Sequence, residues 1–258
     1  MTWNKRIESL RPIVLWECKD IPPDLVLSII QHESAGIIGR RGSGRTKCGK
    51  LKDVNGQEHE ICTALGLMQT IPATINGYNN KKTGADFATL EDMIGSDERA
   101  ARMQIRIGCN YLATVNHYLH KHFPAACAAL SLANATTDQI GIVLTGYAVG
   151  HGNTAKHLQK LIDQNVQPTF ENLKMHFPDW GKNAAGKWIN RPLLYASVVL
   201  ENFDKNKGGS YDTTSPGGLV QRTVGKMNKT QGGLAIVLLL AGAGWLINRY
   251  YTRPKATK

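Results

Sequence analysis

Apolar residues along the chain are spaced mainly as they are in helices. Between residues 97 and 122, apolar side chains recur at every third or fourth position, which places them on one helix face. Pro23 and Pro192 each precede an apolar run and suit the first turn of a helix. An alternating strand pattern is missing, apart from a stretch inside residues 48–62 that suits a short hairpin. We therefore expect a mainly α domain over residues 1–205.

The composition changes twice after this domain. Residues 206–231 are rich in Lys, Gly, Ser and Thr, which is typical of flexible linkers. Residues 232–251 are then almost entirely apolar, with aromatic residues near their end and basic residues on both flanks. Their length lies near the lower limit of the ~17–25 residues that a bilayer-spanning helix needs. We predict a linker, a single C-terminal transmembrane helix and a basic tail at 252–258; a buried helix of the domain is the alternative for the apolar run.

Charge is distributed unevenly along the 258 residues. The net charge is +11, yet all 20 acidic residues precede residue 213, while seven of the 31 basic residues follow it. Such a surplus suits polyanions such as nucleic acid, lipid headgroups and phosphate-bearing wall polymers. The sequence contains no nucleic-acid-binding motif, so we expect no nucleic-acid partner. The first twenty residues have neither the apolar core nor the cleavage site of a signal peptide, and we predict none.

The chain has five cysteines, at positions 18, 48, 62, 109 and 127. An odd number with wide spacing argues against a complete disulfide framework. Cys109 and Cys127 lie in apolar helical stretches, so we expect both to be buried thiols. Cys48 and Cys62 flank a polar loop, and the sequence leaves open whether they are bonded.

The stretch IPPDLVLSIIQHESAG, residues 21–36, places a glutamate among apolar residues. On a helix that turns about 100° per residue, Glu33 falls in the same arc as Leu25 and Ile29. Gly36 suits the end of this helix, so the carboxyl lies in the last turn, at the negative end of the helix dipole. Burial and the dipole both raise the pKa of a carboxyl, and a carboxyl that is protonated near neutral pH can act as a general acid. A buried glutamate paired with a basic residue is the alternative interpretation.

Three later stretches carry further candidates for a sugar-binding cleft. In the GLMQ stretch, the Gln69 amide can donate and accept hydrogen bonds to a sugar, and Met68 can form an apolar floor. Tyr147 lies in a glycine-rich turn at the end of an apolar helix, and Tyr195 lies in the last helix of the domain. Taken alone, the GLMQ stretch is more typical of a packed turn, and each tyrosine is more typical of a core position.

Together and in this order, the motifs resemble those of the lytic transglycosylases of the soluble (SLT) class, and goose-type lysozymes share the pattern. The similarity covers residues 20–203. The matching residues are Glu33-Ser34, Gly66-Leu67-Met68-Gln69 with Pro72-Ala73-Thr74, Ile105, Gly108 and Tyr111-Leu112, then Tyr147, Gly150 and Gly152, and finally Tyr195.

The resemblance implies a lysozyme-like α domain that cuts the β-1,4 bond between MurNAc and GlcNAc in peptidoglycan. It implies that Glu33 protonates the glycosidic oxygen and then takes a proton from the MurNAc 6-hydroxyl, which leaves a 1,6-anhydro end. It requires no cofactor or metal, and the histidines at 117, 120 and 122 are spread too widely round a helix end to converge on an ion. The residues that it implies for substrate binding are Ser34, Met68, Gln69, Tyr147 and Tyr195.

The chain departs from the family pattern at three places. Ala148 stands where the family's A-Y-N-A-G motif has asparagine, so one polar contact is missing. Residues 37–62 form a longer, basic insertion, which either contacts anionic wall or headgroup phosphate or is simply solvated. Glu60 stands six residues before Gly66, where the transglycosylases tend to have serine and the goose-type enzymes have aspartate. A carboxylate there can activate water, which would make the protein a hydrolase of the same bond.

We therefore expect a membrane-anchored peptidoglycan lytic transglycosylase that opens a host cell wall when a phage infects or leaves it. The expected location is the internal membrane of a virion, or otherwise the host bacterial inner membrane. The expected partners are glycan strands, a lipid bilayer and other virion membrane proteins. Two alternatives stay open: the Glu60-dependent hydrolase, and a non-catalytic wall-binding structural protein of the virion.

Overall fold

The computed structural model describes residues 4–44, 46–80, 82–127, 132, 135–178 and 191–206. Within these ranges no helix combines the length and the apolar character that a bilayer crossing requires. The predicted transmembrane helix at 232–251 lies outside the described residues, as do the basic tail and nearly all of the predicted linker. Both the anchor and the domain boundaries stay predictions.

Helices dominate the described chain, as the apolar spacing predicts, and they suit a lysozyme-like domain. The ten α-helices of the described ranges are α1 (Lys5–Glu8), α2 (Arg11–Glu17), α3 (Pro23–Ser34), α4 (Pro72–Asn79), α5 (Leu90–Ile94), α6 (Glu98–His122), α7 (Thr137–Val149), α8 (His151–Asp163), α9 (Phe170–His176) and α10 (Arg191–Asn206). A two-stranded antiparallel hairpin, β1 (Gly49–Lys52) and β2 (Glu58–Ile61), stands where the sequence suits one.

Local sequence accounts for most helix ends. Pro23 opens α3, and the side chain of Asp97 caps α6 by accepting a hydrogen bond from the backbone of Ala100. The end of α3 differs slightly from the prediction, because Ala35 already adopts the left-handed conformation with φ 53°. Gly36 follows at φ 76°, and a Cβ atom there would lie 2.8 Å from the side chain of Ile7. Glycine is therefore required at residue 36, where the chain turns away from α3.

The long helix α6 packs against two groups of buried apolar side chains. Leu112 belongs to the larger group, which also contains the buried face of α3, with Leu25 and Ile29 fully buried. Ile107 belongs to a smaller group, which lies with the hairpin and contains Leu51. Each fully buried Leu or Ile stabilises the fold by about 1.5–3 kcal/mol. The helix that carries Glu33 is thus fixed in the larger core group, and the hairpin is fixed in the smaller one.

Gln104, a buried residue of α6, joins three separate segments of the chain. Its Oε1 atom accepts hydrogen bonds from the backbone N–H of Gly39, at 3.1 Å, and of Leu67, at 3.0 Å. Its Nε2 atom donates to the carbonyl of Asp92, at 3.0 Å, and to the carbonyl of Gly95, at 3.2 Å. The loop after α3, the GLMQ turn and the end of α5 are therefore held by one amide.

Two disulfide bonds are present in the described part of the chain, and one of them corrects the sequence interpretation. Cys18 is bonded to Cys109, with Cα atoms 5.8 Å apart, so Cys109 is not a buried thiol. The sequence gives no sign of this pair because 91 residues separate the two cysteines and only the packing of α2 on α6 brings them together. Cys48 is bonded to Cys62 across the base of the hairpin. Cys127 is a buried free thiol, as predicted.

Candidate active site

Glu33 lies at the junction of two cavities. The larger has a volume of about 790 Å³ and is lined by residues of α3, α4, α6, α7, α8 and α10 and of the basic insertion. The smaller has a volume of about 340 Å³ and is lined mainly by the loop that follows α3. Glu33, Thr46 and Gln69 line both. Volumes of this size are typical of ligand-binding clefts, and they place the Glu33 carboxyl where a chain-like ligand can extend to either side.

The environment of Glu33 favours its protonated form. Burial raises the pKa of the carboxyl from 4.5 to about 7, because the surrounding protein solvates the charged form less well than water does. An interaction with Tyr195 and the positive charge of Arg40 lower this pKa, but only in part. The direction agrees with the sequence prediction, with burial as the main cause. A carboxyl with this pKa can both give and take a proton near neutral pH.

Three tyrosine rings pack together beside Glu33, and two of them, Tyr111 and Tyr147, line the larger cavity. The Tyr147 hydroxyl donates a 2.7 Å hydrogen bond to the backbone carbonyl of Met68, so it holds the GLMQ turn against α7. Its ring lies nearly parallel to that of Tyr195, with centroids 6.4 Å apart, and 5.4 Å from that of Tyr111. The Tyr147 and Tyr195 hydroxyls have pKa values well above 10, because of burial and of the nearby Glu33 carboxyl. Both tyrosines therefore remain protonated hydrogen-bond donors.

The Tyr195 hydroxyl is buried and interacts with the Glu33 carboxyl. The contact between this hydroxyl and Glu33 does not have the geometry of a standard hydrogen bond, and the hydroxyl has no hydrogen-bond partner among the other described residues. The ring is contacted edge-on by His32, at a centroid distance of 4.9 Å. Tyr195 thus packs from α10 against the end of α3, and it is not among the described residues that line either cavity.

Gln69 is placed in the cleft, but with fewer free groups than the sequence suggests. Its backbone has φ 48°, and its Nε2 donates to the carbonyls of Gly66, at 2.8 Å, and Arg40, at 3.1 Å. Both amide hydrogens are therefore occupied by the protein. Oε1 remains, so Gln69 can accept a hydrogen bond from a ligand but has no free hydrogen to donate.

Two predicted substrate-binding residues lie beneath the site instead. The Met68 side chain is fully buried, and a Cβ added to Gly108 would lie 2.3 Å from its sulfur, so it packs against α6 and does not form the cleft floor. The Ser34 side chain is also fully buried; it donates to the carbonyl of Ile30 and accepts from the N–H of Gly36. Both interpretations are corrected: these side chains hold Glu33 and the GLMQ turn in place.

Glu60 is not brought to the cleft. It lies on β2, exposed and opposite Lys50, and it is absent from the described residues that line either cavity. Its carboxylate lies within 4.8 Å of the sulfur atoms of Cys48 and Cys62. Because those sulfur atoms are bonded to each other, they are not the thiolates that a metal ion would need.

Several residues to which the sequence interpretation gave no individual role in the cleft also line the site. Arg40 and Lys47 come from the basic insertion, where nothing in the sequence separates them from neighbouring cations. Asn153 lies in the first turn of α8; its Nδ2 donates to the carbonyl of Val149, at 2.9 Å, while Oδ1 has no partner among the described residues. Asn153 therefore lines the same cavity as Ala148, the residue that stands where the family motif has asparagine.

Comparison with known proteins adds one finding to this geometry. A search of curated protein sequences returns no match. The family model for the transglycosylase SLT domain matches residues 16–167, a segment that contains Glu33, Gln69 and Tyr147 but ends before Tyr195. Because this match covers more than half of the 258 residues, the chain belongs to the transglycosylase SLT domain family, whose general activity is that of a lytic transglycosylase on peptidoglycan.

Proposed function

We propose that the protein cleaves the β-1,4 bond between MurNAc and GlcNAc with Glu33 as its single catalytic acid and base. The observation that carries this proposal is the Glu33 carboxyl, which has a pKa of about 7 and lies at the junction of the two cavities. At that pKa, a substantial fraction is protonated at neutral pH and ready to protonate a leaving group.

The reaction has two proton transfers at the same carboxyl. In the first, Glu33 donates its proton to the glycosidic oxygen as the bond from that oxygen to C1 breaks, and positive charge develops at C1. In the second, the Glu33 carboxylate accepts the proton of the 6-hydroxyl of the same MurNAc, and the oxygen bonds to C1. The products are a 1,6-anhydro end and a free hydroxyl, no water is consumed, and Glu33 returns to its protonated form.

The geometry favours this cyclisation over hydrolysis. Hydrolysis with a second carboxylate needs the two groups about 5–5.5 Å apart for a covalent intermediate, or about 6.5–9.5 Å apart for direct attack by water. Among the described residues that line the two cavities, Glu33 alone carries a carboxylate. The exposed position of Glu60 on the hairpin gives the hydrolase alternative no support.

The test is product analysis with purified sacculi and the full chain. We expect 1,6-anhydro muropeptides from the wild type, none from E33Q, and wild-type product from E60Q, the matched control. Reducing ends that disappear in E60Q would instead establish the hydrolase. Binding to sacculi with no soluble product would establish the non-catalytic wall-binding alternative.

We further propose that residues 232–251 anchor this enzyme in a bilayer, in a phage virion or otherwise at the host inner membrane. The support is the apolar run with its aromatic and basic flanks and the linker composition before it. The full chain is then expected in the membrane pellet after alkaline extraction, and a chain that ends at residue 231 is expected in the supernatant. Recovery of both in the supernatant would refute the anchor.

A further inference from the structure

Two described cations in the cleft form no ion pair with a described acid. Arg40 lines the smaller cavity and Lys47 lines the larger one. Neither side chain makes an ion pair or a hydrogen bond with another described residue. Neighbouring cations of the insertion are either paired with an acid or lie outside both cavities. Lys50 pairs with Glu58 at 3.0 Å, and Arg41 and Lys52 line neither cavity.

The positions of both cations are set by the backbone. The carbonyl of Arg40 accepts hydrogen bonds from the N–H of Gly66, at 2.8 Å, and from Gln69 Nε2. Lys47 directly precedes Cys48, whose disulfide to Cys62 closes the hairpin. The two side chains therefore extend from anchored segments that line the two cavities, both of which Glu33 also lines.

Arg40 acts against the proposed chemistry while the cleft is empty. Its charge lowers the pKa of Glu33 and so favours the carboxylate over the acid that protonates the leaving group. No other described acid lines either cavity to neutralise it. A cation in this position is consistent with the reaction if the bound substrate itself brings a negative charge.

We propose that Arg40 and Lys47 bind carboxylates of the stem peptides, so that the enzyme selects glycan that carries its peptides over peptide-free glycan. The amino-sugar backbone of peptidoglycan is uncharged, whereas the peptides attached to MurNAc end in carboxylates and carry others on their side chains. Arginine and lysine form charge-assisted hydrogen bonds with such groups. This inference rests on the proposed function and adds the part of the substrate that the site recognises.

Substrate binding then also prepares Glu33. The charged or titratable groups that face Glu33 are Arg40, Tyr147 from α7 and Tyr195 from α10; Lys47 and Tyr111 line the same cavity. The tyrosines stay neutral, so Arg40 is the described group whose influence on the Glu33 pKa a bound carboxylate cancels. The pKa of Glu33 is therefore higher in the complex with peptide-bearing glycan than in the complex with bare glycan.

The test compares the full chain on soluble uncrosslinked glycan strands with and without stem peptides. For the peptide-bearing strands we expect R40Q and K47Q each to raise KM about fivefold, the size of one exposed ion pair. For the peptide-free strands we expect a change below about twofold, within the spread of neutral surface substitutions. The matched controls are R41Q and K52Q, which remove one charge from the same insertion outside the cavities and leave KM unchanged on both substrates.

The pH dependence of kcat gives a second readout. With the wild type, the alkaline limb lies at higher pH for peptide-bearing than for peptide-free strands, and in R40Q the two limbs move closer together.

Equal KM changes on both substrates, or equal effects of R41Q and R40Q, would overturn the proposal. So would inhibition by added teichoic acid without any effect of peptide removal, since that result assigns the cations to a wall polymer. A wild type that releases no anhydro product refutes the proposed function itself and is thereby distinguished from these outcomes.

Discussion

Replacing Glu33 with glutamine should stabilise the fold increasingly as the pH rises. In the folded protein, burial raises the Glu33 pKa to about 7, whereas the unfolded chain keeps the ordinary value near 4.5. The folded state therefore holds this proton more tightly than the unfolded state does. The contribution of the protonated Glu33 carboxyl to the stability of the fold is fully present below pH 4.5 and is lost as the pH rises through 7. Glutamine has the same shape and does not titrate.

The magnitude follows from the two pKa values. One pKa unit between folded and unfolded states corresponds to about 1.36 kcal/mol, so the complete loss is about 3 kcal/mol. The quantity to compare is the free energy of unfolding of E33Q minus that of the wild type. Relative to its value at strongly acidic pH, this difference should increase by about 0.2 kcal/mol at pH 4, about 2 kcal/mol at pH 6 and about 3 kcal/mol at pH 8. All other titrating groups are common to both proteins and largely cancel in the difference.

The assay is urea unfolding of both proteins, followed by circular dichroism at half-unit pH intervals from 4 to 8. The difference should rise most steeply between pH 5 and 7 and level off above pH 7. A difference that stays constant within about 0.5 kcal/mol over this range would refute the raised pKa, since it would mean that Glu33 titrates alike in both states. A difference that falls with pH would mean that Glu33 is held as a paired carboxylate instead.

Three further predictions concern two residues near Glu33 and the bond between Cys18 and Cys109. Y195F removes a hydroxyl that lowers the Glu33 pKa, so the alkaline limb of the activity profile should move to higher pH; an unchanged limb would show that the hydroxyl does not act on the carboxyl. N153A should raise KM for glycan strands about fivefold, the value of one hydrogen bond, with kcat nearly unchanged, whereas equal KM values would remove Asn153 from the site. The double variant C18A/C109A should lower the free energy of unfolding by up to about 4.6 kcal/mol, because the bond closes a long loop; a loss below about 1 kcal/mol in urea unfolding would contradict that account.

The sequence predicts best what depends on neighbouring residues. The start of α3 at Pro23 and the long helix α6 are both local patterns, and the structure confirms them. The raised pKa of Glu33 also follows from the sequence, because a helix wheel is enough to place its carboxyl among apolar side chains.

What the sequence could not predict depends on how distant segments meet. Met68 and Gln69 are adjacent in the same turn, yet one is fully buried and the other lines the cleft, because φ 48° at Gln69 redirects the chain. Arg40 and Arg41 look alike in the sequence, and only the contact of their loop with the GLMQ turn separates them. The bond from Cys18 to Cys109 likewise requires the packing of α2 on α6.

The amide of Gln104 makes the position of the loop after α3 relative to the GLMQ turn depend on the length of one side chain. Asparagine at this position would be one methylene too short to reach both Gly39 and Leu67, and glutamate would have no hydrogen to offer the carbonyls at the end of α5. Any ligand that pushes the loop after α3 away from the GLMQ turn must therefore stretch these hydrogen bonds together. The loop and the turn, which are also hydrogen-bonded to each other directly, therefore form one prearranged wall of the cleft, and a glycan strand must fit its shape.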